Sequence, residues 1–162
     1  MKNIKLFFGV ILIQVFILNN IQLSGYINPY YYIVFIFYFP TKNSPTSTLL
    51  VSFLLGIIID FFCNSYGTHA FACVLMAYCK ILWINKSNYG AELEDSFEMK
   101  NLSLIKFGSI SIYFIIIHHF TLFYLEIFSF SGFLNVLHTT LVSSFFTFML
   151  LIMHKIISTS KK

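Results

Sequence analysis

Apolar runs fill this chain almost from end to end, and that continuity excludes most folds at once. Six stretches, at residues 4–23, 27–40, 48–63, 67–84, 104–128 and 133–157, carry few charges, and only residues 85–103 form a long polar interruption. Of the 162 residues, 58% are hydrophobic and 10% charged. A water-soluble domain of this size could not hide so much apolar surface, and a soluble chain is ordinarily about one-quarter charged. The excess needs lipid as its solvent. Inside a bilayer every backbone amide must be satisfied within the protein, so such runs cross as helices. The expected fold class is all-α: a polytopic membrane protein, with a six-helix transmembrane bundle forming one integral domain over residues 1–162.

The first run follows Lys2 and Lys5, as a signal peptide would. Its cleavage point near residues 23–25 is poor, and Gln14, Asn19 and Asn20 interrupt it, so a retained helix is expected. Pro29 suits a helix start and Pro40 a helix stop for the second run. As a helix it covers only about 20 Å of the roughly 30 Å hydrocarbon core. It is therefore either a short span, with Tyr30, Tyr31 and Tyr32 at the interface, or a re-entrant segment. The basic residues decide between these. All ten are lysines. With the N-terminus in the cytosol and six crossings, Lys2, Lys5, Lys42, Lys80, Lys86, Lys100, Lys106, Lys155, Lys161 and Lys162 all fall on the cytosolic side. That is the observed bias of membrane proteins, and a re-entrant second segment would destroy it. A true second span and cytosolic termini are expected.

Chemistry, if present, lies in the polar residues of the spans. Asp60 stands in the last turn of the third run, where the carboxylate is costly and its own helix end adds negative dipole. It must be protonated, hydrated or paired. A short connection makes runs three and four an antiparallel hairpin, so His69 is the expected partner. The pair can lock the hairpin or face a binding partner. Ser52, Gly56 and Asp60 recur every four residues, as do His69, Cys73 and Ala77. Small faces of this kind let helices approach closely in lipid.

His118 and His119 point about 100° apart on one helix and do not readily share a metal. With His138, they are expected to hydrogen-bond between helices, and neither a metal nor another cofactor is expected. Glu126 can reach interfacial water. Glu92, Glu94, Asp95 and Glu98, with Lys86 and Lys100, read as a solvated loop rather than as a docking surface for a cytosolic partner. Cys63, Cys73 and Cys79 form no C-x-x-C pair and read as packing residues. The H-E-x-x-H, G-x-S-x-G and P-loop patterns are absent, so no enzymatic activity is expected. Because the lysines flank membrane segments, lipid rather than nucleic acid is the expected anionic partner.

Residues 53–78 read FLLGIIIDFFCNSYGTHAFACVLMAY. This stretch resembles the signature hairpin of the MreD family, rod shape-determining membrane proteins, at Gly56, Asp60, Gly67, His69 and Ala70. The run ending at Pro40, NNIQLSGYINPYYYIVFIFYFP, resembles versions from the Bacteroidetes. One departure is that Cys79-Lys80 stands near the point where related sequences tend to carry an Arg-Pro pair. The resemblance implies a bundle similar to the substrate-binding subunits of ECF vitamin transporters. It also implies a non-enzymatic scaffold of the cell-elongation complex in the bacterial inner membrane, supporting peptidoglycan synthesis and cell shape. The implied partner is the membrane-anchored MreC, with association to the actin-like MreB, a SEDS glycosyltransferase and a class B penicillin-binding protein. Ser52, Gly56, Asp60, Gly67, His69 and Ala70 would then shape the hairpin or the surface meeting that partner. The competing reading is an ECF-type binding subunit, which should open a polar pocket outward near Asp60, His69, Glu126, Asn135 and His138.

Overall fold

A computed structural model describes residues 2–21, 27–41, 44–87, 101–128 and 132–160. The acidic cluster of the polar loop and Lys42, Lys100, Lys161 and Lys162 lie outside the described residues. The elements are α1 (Lys2–Phe16) with a 3-10 turn (Leu18–Asn20), α2 (Ile33–Tyr38), α3 (Pro45–Cys63), α4 (Thr68–Ser87), α5 (Leu104–Ile127) and α6 (Phe133–Ser160). The fold is all-α, and five helices, all but α2, are long and apolar enough to cross a membrane. This is a multi-pass membrane protein.

Helices α3 and α4 pack as one antiparallel hairpin and α5 and α6 as another, with α4 against α5. Four of the expected runs match α3–α6 to within a few residues. The third begins earlier than expected because Ser44 caps it: Ser44 Oγ accepts the Ser47 N–H at 3.1 Å, with Pro45 at the first helical position. Residues 45–47, ahead of the expected run at 48–63, thus belong to the first turn of α3.

The second run departs most from expectation. Instead of a helix starting at Pro29, only the six residues of α2 are helical, about 9 Å of helix. Proline removes an N–H and pushes the preceding residue out of helical geometry, so the approach to α2 is irregular. Non-helical backbone survives at membrane depth only where protein encloses it, and side chains here take the place of the missing helical bonds. Asn28 N–H donates to Ser143 Oγ at 3.2 Å, Tyr30 N–H to Thr147 Oγ1 at 2.9 Å and Tyr31 N–H to Gln14 Oε1 at 2.8 Å. Gln14 Nε2 in turn donates to Pro29 O at 3.2 Å.

The chain nevertheless returns across the bundle in this segment. Just beyond α1, Asn19 Nδ2 donates to Cys63 Sγ at the end of α3, at 3.3 Å. Helices α1 and α3 therefore run parallel, and the chain between them must travel back. Along α6 the segment passes from Ser143, beside Asn28, to His154, beside the Tyr38 ring, a descent of about 16 Å. Ile33, Val34, Phe35, Ile36 and Phe37 are all buried, as a helix apolar on every side requires. Lys80 closes its far end, its buried Nζ donating to Ile36 O at 2.7 Å and Phe39 O at 2.8 Å. A cation on the last carbonyls of a helix is favourable for both hydrogen bonding and dipole.

Among the described residues the lysines gather at one end of the bundle: Lys5 in the first turns of α1, Lys80 and Lys86 in the second half of α4, Lys106 in the first turn of α5 and Lys155 near the end of α6. The α3–α4 turn lies at the opposite end.

Candidate functional site

Asp60 closes one helix and opens the next. At the end of α3, Asn64 turns left-handed (φ 55°, ψ 41°) and its N–H reaches Asp60 O, which also accepts the Ser65 N–H at 3.2 Å. Gly67, at φ 95°, completes the turn in a conformation that disfavours any side chain. Gly67 precedes α4 and so occupies the position where a Ser, Thr, Asp or Asn would normally cap the first amides. It has no side chain to do so. Asp60 supplies the cap from the neighbouring helix: Oδ1 accepts Ser65 Oγ–H at 2.6 Å and His69 N–H at 3.0 Å, and Oδ2 accepts Ala70 N–H at 2.9 Å. The carboxylate is buried but faces the positive end of α4 through charge-assisted hydrogen bonds.

The expected side-chain pair of Asp60 and His69 is therefore corrected. Asp60 holds the main chain of His69, not its imidazole. The first amides of a helix have no partners within it, and at so tight a turn they stand nearer the carboxylate than the ring does.

Gly56 lies one turn before Asp60. A Cβ there would overlap Ala70 Cα and stand 2.6 Å from Ala70 N and 2.8 Å from His69 O. The two helix backbones thus touch at this point. Ser52, another turn back, is buried on the same stripe of α3, and Cys73 and Ala77 are buried on α4. Gly56, Asp60, Gly67, His69 and Ala70 make up one connected contact, with Ser52 below it.

The His69 ring enters a second, central cluster. Its Nδ1 lies 2.7 Å from Tyr32 Oη, which also lies 3.0 Å from His118 Nε2. His119 Nδ1 lies 2.9 Å from Ile115 O. A carbonyl only accepts, so Nδ1 carries the proton and Nε2 accepts from Thr147 Oγ1 at 3.0 Å. Thr147 in turn accepts the Tyr30 N–H. The Tyr30 ring packs against His69, His118 and His119, with centroids 5.2, 6.0 and 5.2 Å away. All five rings are buried.

As expected, His118 and His119 bond to other segments, whereas His138 is exposed on α6. Tyr30 and Tyr32, expected at the interface of a short span, are instead buried inside the bundle, and the linking roles of Gln14, Thr147 and Lys80 were not foreseen from the sequence. A usable signal was the tyrosine run beside Pro29, since a buried phenol needs a partner and histidines were the available ones. Among the described residues no three His, Cys, Asp or Glu side chains come together as a metal site.

At the turn end, a cleft of about 570 Å³ lies between the α3–α4 turn and the end of α5, bordered by Tyr66, Phe71 and Glu126. Tyr66 is wholly exposed. Asn135 and His138 are exposed on α6 and do not line this cleft. No protein-family model, curated protein or solved structure matches the chain.

Proposed function

We propose that this protein is a non-enzymatic scaffold of the MreD type, holding an MreC-like single-span partner in the cell-elongation complex of a bacterial inner membrane. The observation that carries this reading is the connectedness of the hairpin residues. The five positions that resemble the family motif act on one another: Gly56 admits Ala70, Asp60 binds the amides of His69 and Ala70, and Gly67 provides the turn. A turn held in this way is a preorganised surface, which is what a docking platform needs. Tyr66 and Glu126 beside it are where the periplasmic base of the partner would rest.

The lysine-rich end then faces the cytosol, together with both termini and any contact to MreB. The SEDS glycosyltransferase and class B penicillin-binding protein join the same assembly. The return of the chain through α2 supplies the sixth crossing of an ECF-like bundle.

Transport is the second reading, and one observation disfavours it. Its proposed ligand groups lie apart: Asp60 and His69 are engaged inside the bundle, Glu126 borders the cleft, and Asn135 and His138 face outward on α6. The test is purification of the full chain from its own cells in mild detergent. A single-span, MreC-like protein should copurify, and depletion of the chain should round the cells. Absence of any such protein, with normal shape after depletion, would refute the scaffold. A retained vitamin-like ligand and a copurifying ATPase would instead establish transport.

A further inference from the structure

We propose that the cleft at the α3–α4 turn takes a cationic side chain, arginine or lysine, from a partner protein's segment directly outside the membrane. The inference rests on the scaffold reading for the kind of partner and adds the chemistry of the contact.

Negative charge gathers at this cleft from three sources. Glu126 stands exposed on its rim, and among the described residues no hydrogen bond or ion pair engages its carboxylate. Glu126 lies in the last turn of α5, and Cys63, the last residue of α3, is also in the wall. The carbonyl ends of two helices therefore meet the carboxylate here, each a partial negative charge. The opposing contribution is the start of α4 at Thr68, and Asp60 offsets it by taking the His69 and Ala70 amides. Among the described residues no lysine lies at this end of the bundle. The complement of such a surface is a cation.

The rings beside Glu126 decide what kind of cation. Tyr66 and Phe71 border the cleft, Tyr66 wholly exposed and Phe71 more than half. Tyr66 is held at φ 51°, a left-handed geometry that a bulky residue adopts at a cost, and its ring gains no burial within the chain in return. A hydrated metal ion gains little from such rings. A guanidinium or ammonium on an alkyl stem can stack on Tyr66, lie along Phe71 and Leu125 and pair with Glu126. Arginine suits the site best, since its planar fork both stacks and bonds a carboxylate through two N–H groups. The volume of about 570 Å³ is that of a small-ligand site, enough for the cation and an apolar neighbour from the same segment. Position selects which segment that is. The cleft lies at the end opposite the lysines, outside in the orientation the lysines give, where a partner's chain leaves its span.

The test is the full chain in its own cells, carrying p-benzoylphenylalanine in place of Tyr66 and cross-linked by light. The captured protein should have a single span and be joined through the segment directly outside it, with an arginine or lysine beside the joined residue. Glu126→Lys should lower the cross-linked yield about tenfold or more, and Glu126→Gln less, as reversal and truncation of a paired charge do. Changing the partner's basic residue to glutamate should restore the yield with Glu126→Lys and lower it with the unaltered chain. Asn135→Lys, which adds the same charge on α6 outside the cleft lining, should leave the yield unaltered. A single-span partner joined through a segment without a basic residue, or a yield that Glu126→Lys does not change, would overturn this inference and leave the scaffold standing. Cross-linking only to lipid or to a second copy of this chain would overturn it as well, and absence of any single-span partner would overturn both. Should Glu126→Lys fail to fold, Glu126→Gln decides: a reduced yield supports the pairing and a wild-type yield refutes it.

Discussion

Replacing Gly56 by alanine should destabilise the bundle by about 3 kcal/mol, the upper part of the range for overpacking, and Gly56→Leu should leave little folded protein. The added carbon would overlap Ala70 Cα and crowd Ala70 N and His69 O. These are backbone atoms inside a helix and cannot rotate away as a side-chain tip could. Relief requires moving α4 off α3, and that movement lengthens the adjacent Asp60 bonds to His69 N and Ala70 N. The two losses are therefore coupled rather than additive. Gly9→Ala is the matched control: it also lies inside a helix, but nothing stands within 4 Å of its added carbon. Thermal unfolding and the monodisperse fraction in detergent should both fall sharply for Gly56→Ala and hold for Gly9→Ala.

Asp60→Leu should cost about 4 kcal/mol and Asp60→Asn about half of that, by the usual penalties for orphaned buried polar groups. Leucine leaves the Ser65 hydroxyl and the His69 and Ala70 amides without their acceptor at a site only 7% exposed. Asparagine keeps one accepting oxygen, but its NH₂ must face a group that also donates. The carboxylate's attraction to the start of α4 is lost in both variants. The expected order of melting temperature is wild type, Asp60→Asn, Asp60→Leu. Wild-type melting of both variants would remove the case that Asp60 caps α4.

The hairpin was legible in sequence because its devices are local. Gly56 and Asp60 sit one helical turn apart, and Gly67, His69 and Ala70 follow within one short connection, so spacing alone brings them together. What spacing could not give was the atom that Asp60 binds. Sequence shows the carboxylate, the imidazole and the unfavourable end of α3. It does not show that Gly67 leaves the first amides of α4 without a cap. The second run failed for a different physical reason. IVFIFY is apolar on every side and so carries no period by which to judge helix length. The groups that allow the chain to leave helical geometry before it, Gln14, Ser143 and Thr147, belong to helices distant in sequence. Lysine placement was the ground for expecting a second span, because charge asymmetry depends on which side a segment ends and not on its conformation, whereas only the five helices other than α2 are long and apolar enough to cross a membrane. Lys80 contributes to that asymmetry and also caps α2, a role visible only once the fold brings Ile36 and Phe39 to it.

The return of the chain between α1 and α3 is the claim on which the rest depends, and a cysteine cross-link tests it most directly. In a chain keeping Cys63 and Cys79, Asn19→Cys should form a disulfide with Cys63 under mild oxidation, because Asn19 Nδ2 lies 3.3 Å from Cys63 Sγ. A cross-link to Cys79 and not to Cys63 would place α1 antiparallel to α3 and contradict the crossing through α2.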